Sequence, residues 1–259
     1  MTRYRINQKF HAVPPPSAGD VPSDRAVQAA EMFGIGLDET YEVTLFDGLA
    51  LEVRPGDVVL VTGPSGSGKT VLLRRLVEAI ASAEPGAHLV DLATVDPPGD
   101  LAVIDGLPCP FQEALEHLSS AGLADAFLLL RRPGELSDGQ RWRLRLAHAL
   151  ARACAAAAGA GGAGGVGGAG APVLIADEFC STLDRLAARA IAYRVRRLAT
   201  RHALTVLAAT AHDDLAEDLA PDVLIAKHEG PGVEVAYRDA ARGRPRDPHA
   251  GRTPAESEE

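Results

Sequence analysis

Residues 63–70 read Gly63-Pro64-Ser65-Gly66-Ser67-Gly68-Lys69-Thr70, which fits the phosphate-binding loop pattern G-x-x-x-x-G-K-[ST]. Both flanks suit it. Residues 57–62 (DVVLVT) form a short, mostly apolar run with the pattern of a buried parallel strand. Beyond the loop, Val71, Leu72, Leu76, Val77 and Ile80 recur at helical spacing, with Arg74, Arg75 and Glu78 on the other side. Strand, glycine-rich turn and helix N-terminus together make an anion site. The glycines let the backbone curl its N–H groups toward phosphate oxygens, and the helix dipole adds to the field. Lys69 is placed to reach the β- and γ-phosphates of a nucleoside triphosphate, and Thr70 to offer its hydroxyl to Mg2+. The whole loop, extended to Val71, is read as nucleotide-binding.

A chain of 259 residues suits one α/β domain or one domain with a small appendage. Apolar residues make up 46% and aromatics only 4%, so the core rests on Ala, Leu and Val, which favours helices and parallel strands over an aromatic-rich sandwich. The net charge of −9 offers no overall footprint for nucleic acid or an anionic membrane. Cys109, Cys154 and Cys180 are spaced like neither a metal knuckle nor a disulfide framework, which points to a reducing cytoplasm. The first residues, Met1-Thr2-Arg3-Tyr4-Arg5, lack the apolar core of a signal peptide. Residues 153–176 carry no charge, but eight glycines and Pro172 make them too weakly apolar to insert into a bilayer.

Along the chain, residues 1–25 contain Pro14-Pro15-Pro16 and Pro22 and read as a disordered tail. Residues 25–33 (RAVQAAEMF) fit either a helix or an irregular strand. Residues 41–46 (YEVTLF) and 49–53 (LALEV) read as two strands, and 88–95 (HLVDLATV) as another, with a further apolar run at 101–104. Helices are expected at 112–120, at 124–130, and from Ser137 through about residue 153. Ser137 is the N-cap of the last, with Gln140 three residues on as in a capping box. Residues 155–171 (AAAAGAGGAGGVGGAGA) behave as a flexible loop on composition, and 239–259 as a disordered tail. Strands 173–176 and 204–209 alternate with a helix over 186–202, and strands 223–226 and 233–237 follow. The pattern is a mainly parallel α/β sheet with an antiparallel portion from the early strands.

Downstream residues complete the site. Asp177-Glu178 follow an apolar strand, which puts two carboxylates at its C-terminal end, where ligands of doubly wound sheets gather. Asp177 is read as a Mg2+ ligand through water and Glu178 as the residue that polarises the attacking water. Leu136-Ser137-Asp138-Gly139-Gln140 heads a helix and forms a second dipole-assisted anion site. Two half-sites for one phosphate chain imply a head-to-tail dimer, each nucleotide held between the loop of one subunit and the helix of the other.

With these residues the chain resembles the ABC-type ATPases. The loop GPSGSGKT, the signature LSDGQ, the strand VLIADE, the segment Ser181-Thr182-Leu183-Asp184 and the late His212 occur in that family's order over about residues 40–230. The wording LSDGQRWR with DEFCSTLD resembles free-standing members sometimes fused to an acetyltransferase-like domain, a region that this chain does not contain. The resemblance implies a P-loop NTPase fold with a reduced helical subdomain, and ATP with Mg2+ as the ligands. It implies that Ser137 and Gly139, with Gln140 beside them, contact the partner's ATP, that Asp184 links the two sites, and that His212 senses the γ-phosphate. Lys69, Glu178 and His212 are then the catalytic set. Adenine would stack on Tyr41 or Phe33.

Four departures from that family stand out. Asp138 occupies a position where glycine is usual, and Phe179 follows Glu178 where proline is usual. The stretch from Lys69 to Ser137 is shorter than in transporter ATPases, which leaves Gln112 or Asp105 as stand-ins for the glutamine loop. The Gly/Ala stretch is an insertion in a surface loop. The sequence thus predicts an ATP hydrolase, a homodimer or a dimer with a related ATPase subunit, driving a non-transport or regulatory partner. The alternative is the ATP-binding subunit of a membrane transporter with a permease partner. Nothing in the residues decides for or against nucleic acid. A P-loop kinase or GTPase would leave the signature unexplained.

Overall fold

The computed structural model describes residues 2–11, 23–34, 42–160, 171–238 and 245–246. Near the N-terminus Tyr4 and Ile6 are buried while Arg5 and Asn7 face solvent, and this alternation makes Thr2–His11 a strand, β1. The expected tail is therefore ordered at its start; the prolines that suggested disorder lie in residues 12–22, outside the described residues. Asp24–Phe33 is a helix, α1, capped by the Ser23 hydroxyl and closed by Gly34 in the left-handed region. Glu42–Val53 is one long strand, β2, where two were expected. It pairs antiparallel with β1, and the polar Asp47-Gly48 pair is absorbed where the register slips around Gln8. Asn7 Oδ1 accepts the Gly48 N–H there.

The chain then builds β3 (Val58–Thr62), α2 (Lys69–Ala83) and β4 (His88–Asp91). Strand β4 is shorter than expected because Asp91 Oδ1 accepts from Ala93 N and starts a 3-10 turn over Leu92–Thr94. The apolar run 101–104 is a turn and not a strand; Val103 N donates to Arg131 O and Ile104 N to Leu129 O instead. Helix α3 (Phe111–Ser120) follows, then α4, a single turn over Ala126–Leu129. Helix α5 spans Asp138–Ala160 and so takes in the first alanines of the expected loop, whose helix propensity is high. Residues 161–170 of that loop lie outside the described residues. The remainder is β5 (Pro172–Ala176), α6 (Arg185–His202), β6 (Thr205–Ala209), α7 (Leu215–Leu219), β7 (Val223–Lys227), β8 (Val233–Arg238) and β9 (Pro245–Arg246). Of the C-terminal segment expected to be a tail, Pro245 and Arg246 pair with β8.

The main sheet runs β4-β5-β6-β3-β7-β8-β9, parallel from β4 to β7 and antiparallel beyond, so the fold is the mainly parallel α/β sheet with an antiparallel part. The central strands β3, β5 and β6 are buried along their whole length because helices cover both faces. On one face Leu60, Leu174 and Val206 pack with Leu146 and Leu150 of α5 and Ile191 and Val195 of α6. On the other, Val59, Val61, Ile175 and Leu207 pack with Leu72, Leu76 and Ile80 of α2 and with Phe46 and Leu51 of β2. Each such fully buried side chain contributes roughly 1.5–3 kcal/mol. Asp222 ties the layers: its carboxylate accepts the Val58 N–H and both guanidinium nitrogens of Arg196. Among the described residues no helix is long and apolar enough to cross a membrane.

One core residue gives the fold an acid sensitivity. His148, on α5, is 2% exposed, and among the described residues its Nε2 has no hydrogen-bond partner. Burial, with the Arg152 charge adding to it, pushes its pKa from 6.5 down to about 4. Between those values the unfolded chain binds a proton that the folded chain refuses, so stability falls as pH drops through that window. Relative to a non-titrating His148→Gln variant, wild type should lose about 2 kcal/mol between about pH 7.5 and about pH 5. Urea unfolding at the two pH values measures it, and a difference that does not change with pH would contradict it.

Candidate active site

The glycines of the loop after β3 have structural reasons. Gly63 has φ 142°, and a Cβ there would stand 2.0 Å from the Lys227 carbonyl oxygen at the end of β7. Lys227 is itself fully buried, its ammonium donating to the carbonyls of His228 and Gly230 beneath the loop. Gly68 has φ 98° and is the N-cap of α2, with Leu45 3.2 Å from where a Cβ would sit. These contacts fix the curl that turns the loop around the N-terminus of α2. Lys69 folds back onto it, donating to Gly63 O at 2.8 Å and Pro64 O at 2.7 Å. Ser67 is 3% exposed, and its hydroxyl finds no partner among the described residues. Val71 lies inward, partly buried against the core.

Strand β5 sits two places along the sheet from β3, and its C-terminal end brings the acidic pair to the same edge as the loop. A cleft of about 340 Å³ is lined by Ser65, Gly66, Gly68, Lys69 and Thr70 on one side. Asp177, Glu178 and Ser181 line it on another, and Thr210 and Ala211 close it after β6. Asp177 Oδ1 accepts the Glu178 N–H at 3.0 Å. Glu178 is exposed with φ 51°, and Cys180 follows at φ 60°. Two left-handed non-glycine residues so close cost roughly 1–2 kcal/mol each, strain held in place by the packing around them.

That packing explains Phe179. Its ring is fully buried and meets Trp142 of α5 edge-on at 6.0 Å, and its N–H donates to Ala209 O at 2.7 Å. Proline could not make that bond. The turn thus links β5, β6 and α5 directly beneath Glu178.

The head of α5, expected to be a second anion site, stands apart from the cleft lining. Ser137 and Gln140 make the reciprocal capping box: Gln140 N donates to Ser137 Oγ at 3.3 Å, and Ser137 N to Gln140 Oε1 at 2.9 Å. The Gln140 carbonyl is therefore committed to the cap. Ser137 is exposed at the head of α5, and Gly139 packs so that a Cβ would lie 3.4 Å from Leu183. The Asp138 carboxylate is drawn onto Arg141 and points outward, which neutralises the charge beside Ser137. Asp184 caps α6 by accepting from Ala187 N at 2.9 Å.

Other expected residues fall outside the cleft. His212 is half-buried just past the lining, its N–H on Thr210 Oγ1 at 3.2 Å. Phe33 is 75% exposed at the end of α1 and does not line the cleft. Tyr41 lies outside the described residues. Asp105 is exposed in the turn after residue 104 and Gln112 is exposed on the first turn of α3; neither lines the cleft. Ser65, Ser181 and Thr210 supply hydroxyls to it, and of these Ser181 and Thr210 were not singled out as ligands. Their signal was adjacency to Asp177-Glu178 and to the end of β6.

Comparison with known proteins adds relatives to this geometry. No family model matches the chain. An aliphatic sulfonates import ATP-binding protein of Delftia acidovorans is 32% identical over 215 residues, covering 77% of this chain and 80% of its own length. A methionine import ATP-binding protein of Streptomyces coelicolor is 30% identical over 227 residues, covering 71% of this chain and 59% of that protein. Among solved structures, a dimeric post-hydrolysis state of an ATP-binding cassette bound to ADP and Pi has a TM-score of 0.52 at 18% identity, over 75% of this chain and 91% of that one. A likeness at that identity speaks for the fold.

Proposed function

Because this chain belongs to the ATP-binding cassette family of ATPases, we propose that it is the ATP-binding subunit of an import transporter, hydrolysing MgATP in a head-to-tail dimer on a membrane permease. Both relatives described above are import ATP-binding proteins, which favours the transport reading over the non-transport role that the sequence put first. The observation that carries it sits in the abbreviated middle region. Leu101, Phe111, Phe127 and Leu130 are four of the eight large hydrophobic side chains exposed among the described residues. The turn bearing Leu101 is held beside α4 through Val103 N to Arg131 O and Ile104 N to Leu129 O. Those two bonds bring Leu101 close in the fold to Phe127 and Leu130, and exposed apolar side chains so placed offer a partner a surface to cover. The region is short, but it keeps exposed apolar side chains that a permease would cover.

The donor set at the cleft fits Mg2+: the Thr70 hydroxyl and the Asp177 carboxylate are hard oxygen ligands lining one space. When bound, the ion supplies neutralisation of charge on the β- and γ-phosphates. Lys69 exchanges the Gly63 and Pro64 carbonyls for phosphate oxygens, and the loop from Gly63 to Thr70 turns its N–H groups on the same anion. Glu178 accepts the proton of the water that attacks the γ-phosphorus, giving ADP and phosphate. His212 reaches the γ-phosphate from just beyond Ala211 once the cleft closes. Ser137 and Gly139, absent from this chain's own cleft, complete the partner's site.

Affinity purification of the full chain from membranes in mild detergent tests the transport reading. The expected result is recovery of a multi-span permease, reduced when Phe127→Ser and Leu130→Ser are combined. Recovery of the chain without any membrane subunit would overturn it.

A further inference from the structure

Away from the ATP cleft, three ligand-type side chains converge on the start of α3. Cys109, Glu113 and His117 follow one another at four-residue spacing, and one ligand atom from each lies within 4.8 Å of the other two. The spacing explains the meeting: Glu113 and His117 stack on one face of α3, and Cys109 stands on the turn that leads into it. That turn is held by Cys109 N donating to Leu107 O at 2.9 Å. His117 is 4% exposed, yet among the described residues its buried Nδ1 has no hydrogen-bond partner. An orphaned buried ring nitrogen costs free energy and calls for an occupant. Burial also lowers the His117 pKa, which keeps the ring neutral and its lone pair available.

We propose that Cys109, Glu113 and His117 form a site for a divalent transition ion of the Zn2+ class, with water in the fourth position. Thiolate, imidazole and carboxylate together suit Zn2+ and its borderline-soft neighbours, whereas Mg2+ and Ca2+ take oxygen ligands. Ligand atoms around a tetrahedral Zn2+ are separated by about 3.3–3.8 Å, so the present spacing closes with side-chain rotation of about an ångström. Cys109 is half-buried and Glu113 exposed, which leaves both free to make that rotation. The ion would clip the turn at 107–110 to α3, which packs on α5, the helix that carries Ser137 at its head. The site is separate from Thr70 and Asp177 and stands whether or not the chain serves a transporter.

The test uses the full chain stripped of metal with chelator and titrated with Co2+ alone. The expected result is one Co2+ per chain with a thiolate-to-cobalt charge-transfer band, displaced by added Zn2+. Cys109→Ser should delete that band and weaken binding by about 100-fold or more, and Glu113→Gln, at an exposed position, by about 10-fold or more. The oxygen donors at the ATP cleft cannot produce a thiolate band. Absence of the band in wild type, or its survival in Cys109→Ser, would overturn the site.

Discussion

Lys69→Ala removes ATP turnover, by about 10²–10³-fold or more, while the protein stays folded. Among the described residues the Lys69 ammonium hydrogen-bonds to the carbonyls of Gly63 and Pro64, both in the loop it belongs to. Its truncation leaves the β3–α2 packing intact, so the melting behaviour should shift by no more than a surface substitution does, within about 0.5 kcal/mol. The rate loss is of another kind. Catalysis of phosphoryl transfer is mostly positioning and charge neutralisation, and Lys69 is the cleft's one lining cation among the described residues. Steady-state phosphate release at saturating MgATP measures it, and near-normal turnover would remove the loop from the mechanism.

Glu178→Gln lowers turnover by about 10²–10⁴-fold and leaves ATP binding in place. The substitution keeps the shape and the left-handed backbone at φ 51°, so the strained turn over Phe179 is unchanged. What disappears is the group proposed to accept the water's proton. The expected kinetic signature is a collapse of kcat with little change in nucleotide affinity, readable by single-turnover hydrolysis beside equilibrium binding. Equal loss of both would point to a structural role for Glu178.

The phosphate loop and the acidic pair were legible because their information is local: a strand, a fixed glycine spacing and a helix start within one stretch. The capping box of Ser137 and Gln140 was legible for the same reason. Strand β1 was not, because the prolines at 14–16 dominated the composition of residues 1–25, although Tyr4 and Ile6 already alternate with Arg5 and Asn7. The run at 101–104 is apolar enough for a strand, but its backbone bonds go to Leu129 and Arg131, a tertiary pairing that periodicity cannot register. The spacing of Cys109, Glu113 and His117 was not legible because only one of the three is a cysteine, and the other two read as an ordinary polar stripe on a helix. The role of Phe179 needed Trp142 and Ala209, both distant in the chain.

Because Ser137 and Gly139 stand outside the cleft that Lys69 and Glu178 line, the proposed dimer gives each chain half of each ATP site. The most direct measurement is the mass of Glu178→Gln by light scattering on size exclusion, with and without saturating MgATP. The expected result is the single-chain mass without nucleotide and twice that mass with it, reverting to the single mass when Ser137→Arg is added. A single-chain mass at saturating MgATP, with ATP demonstrably bound, would contradict it.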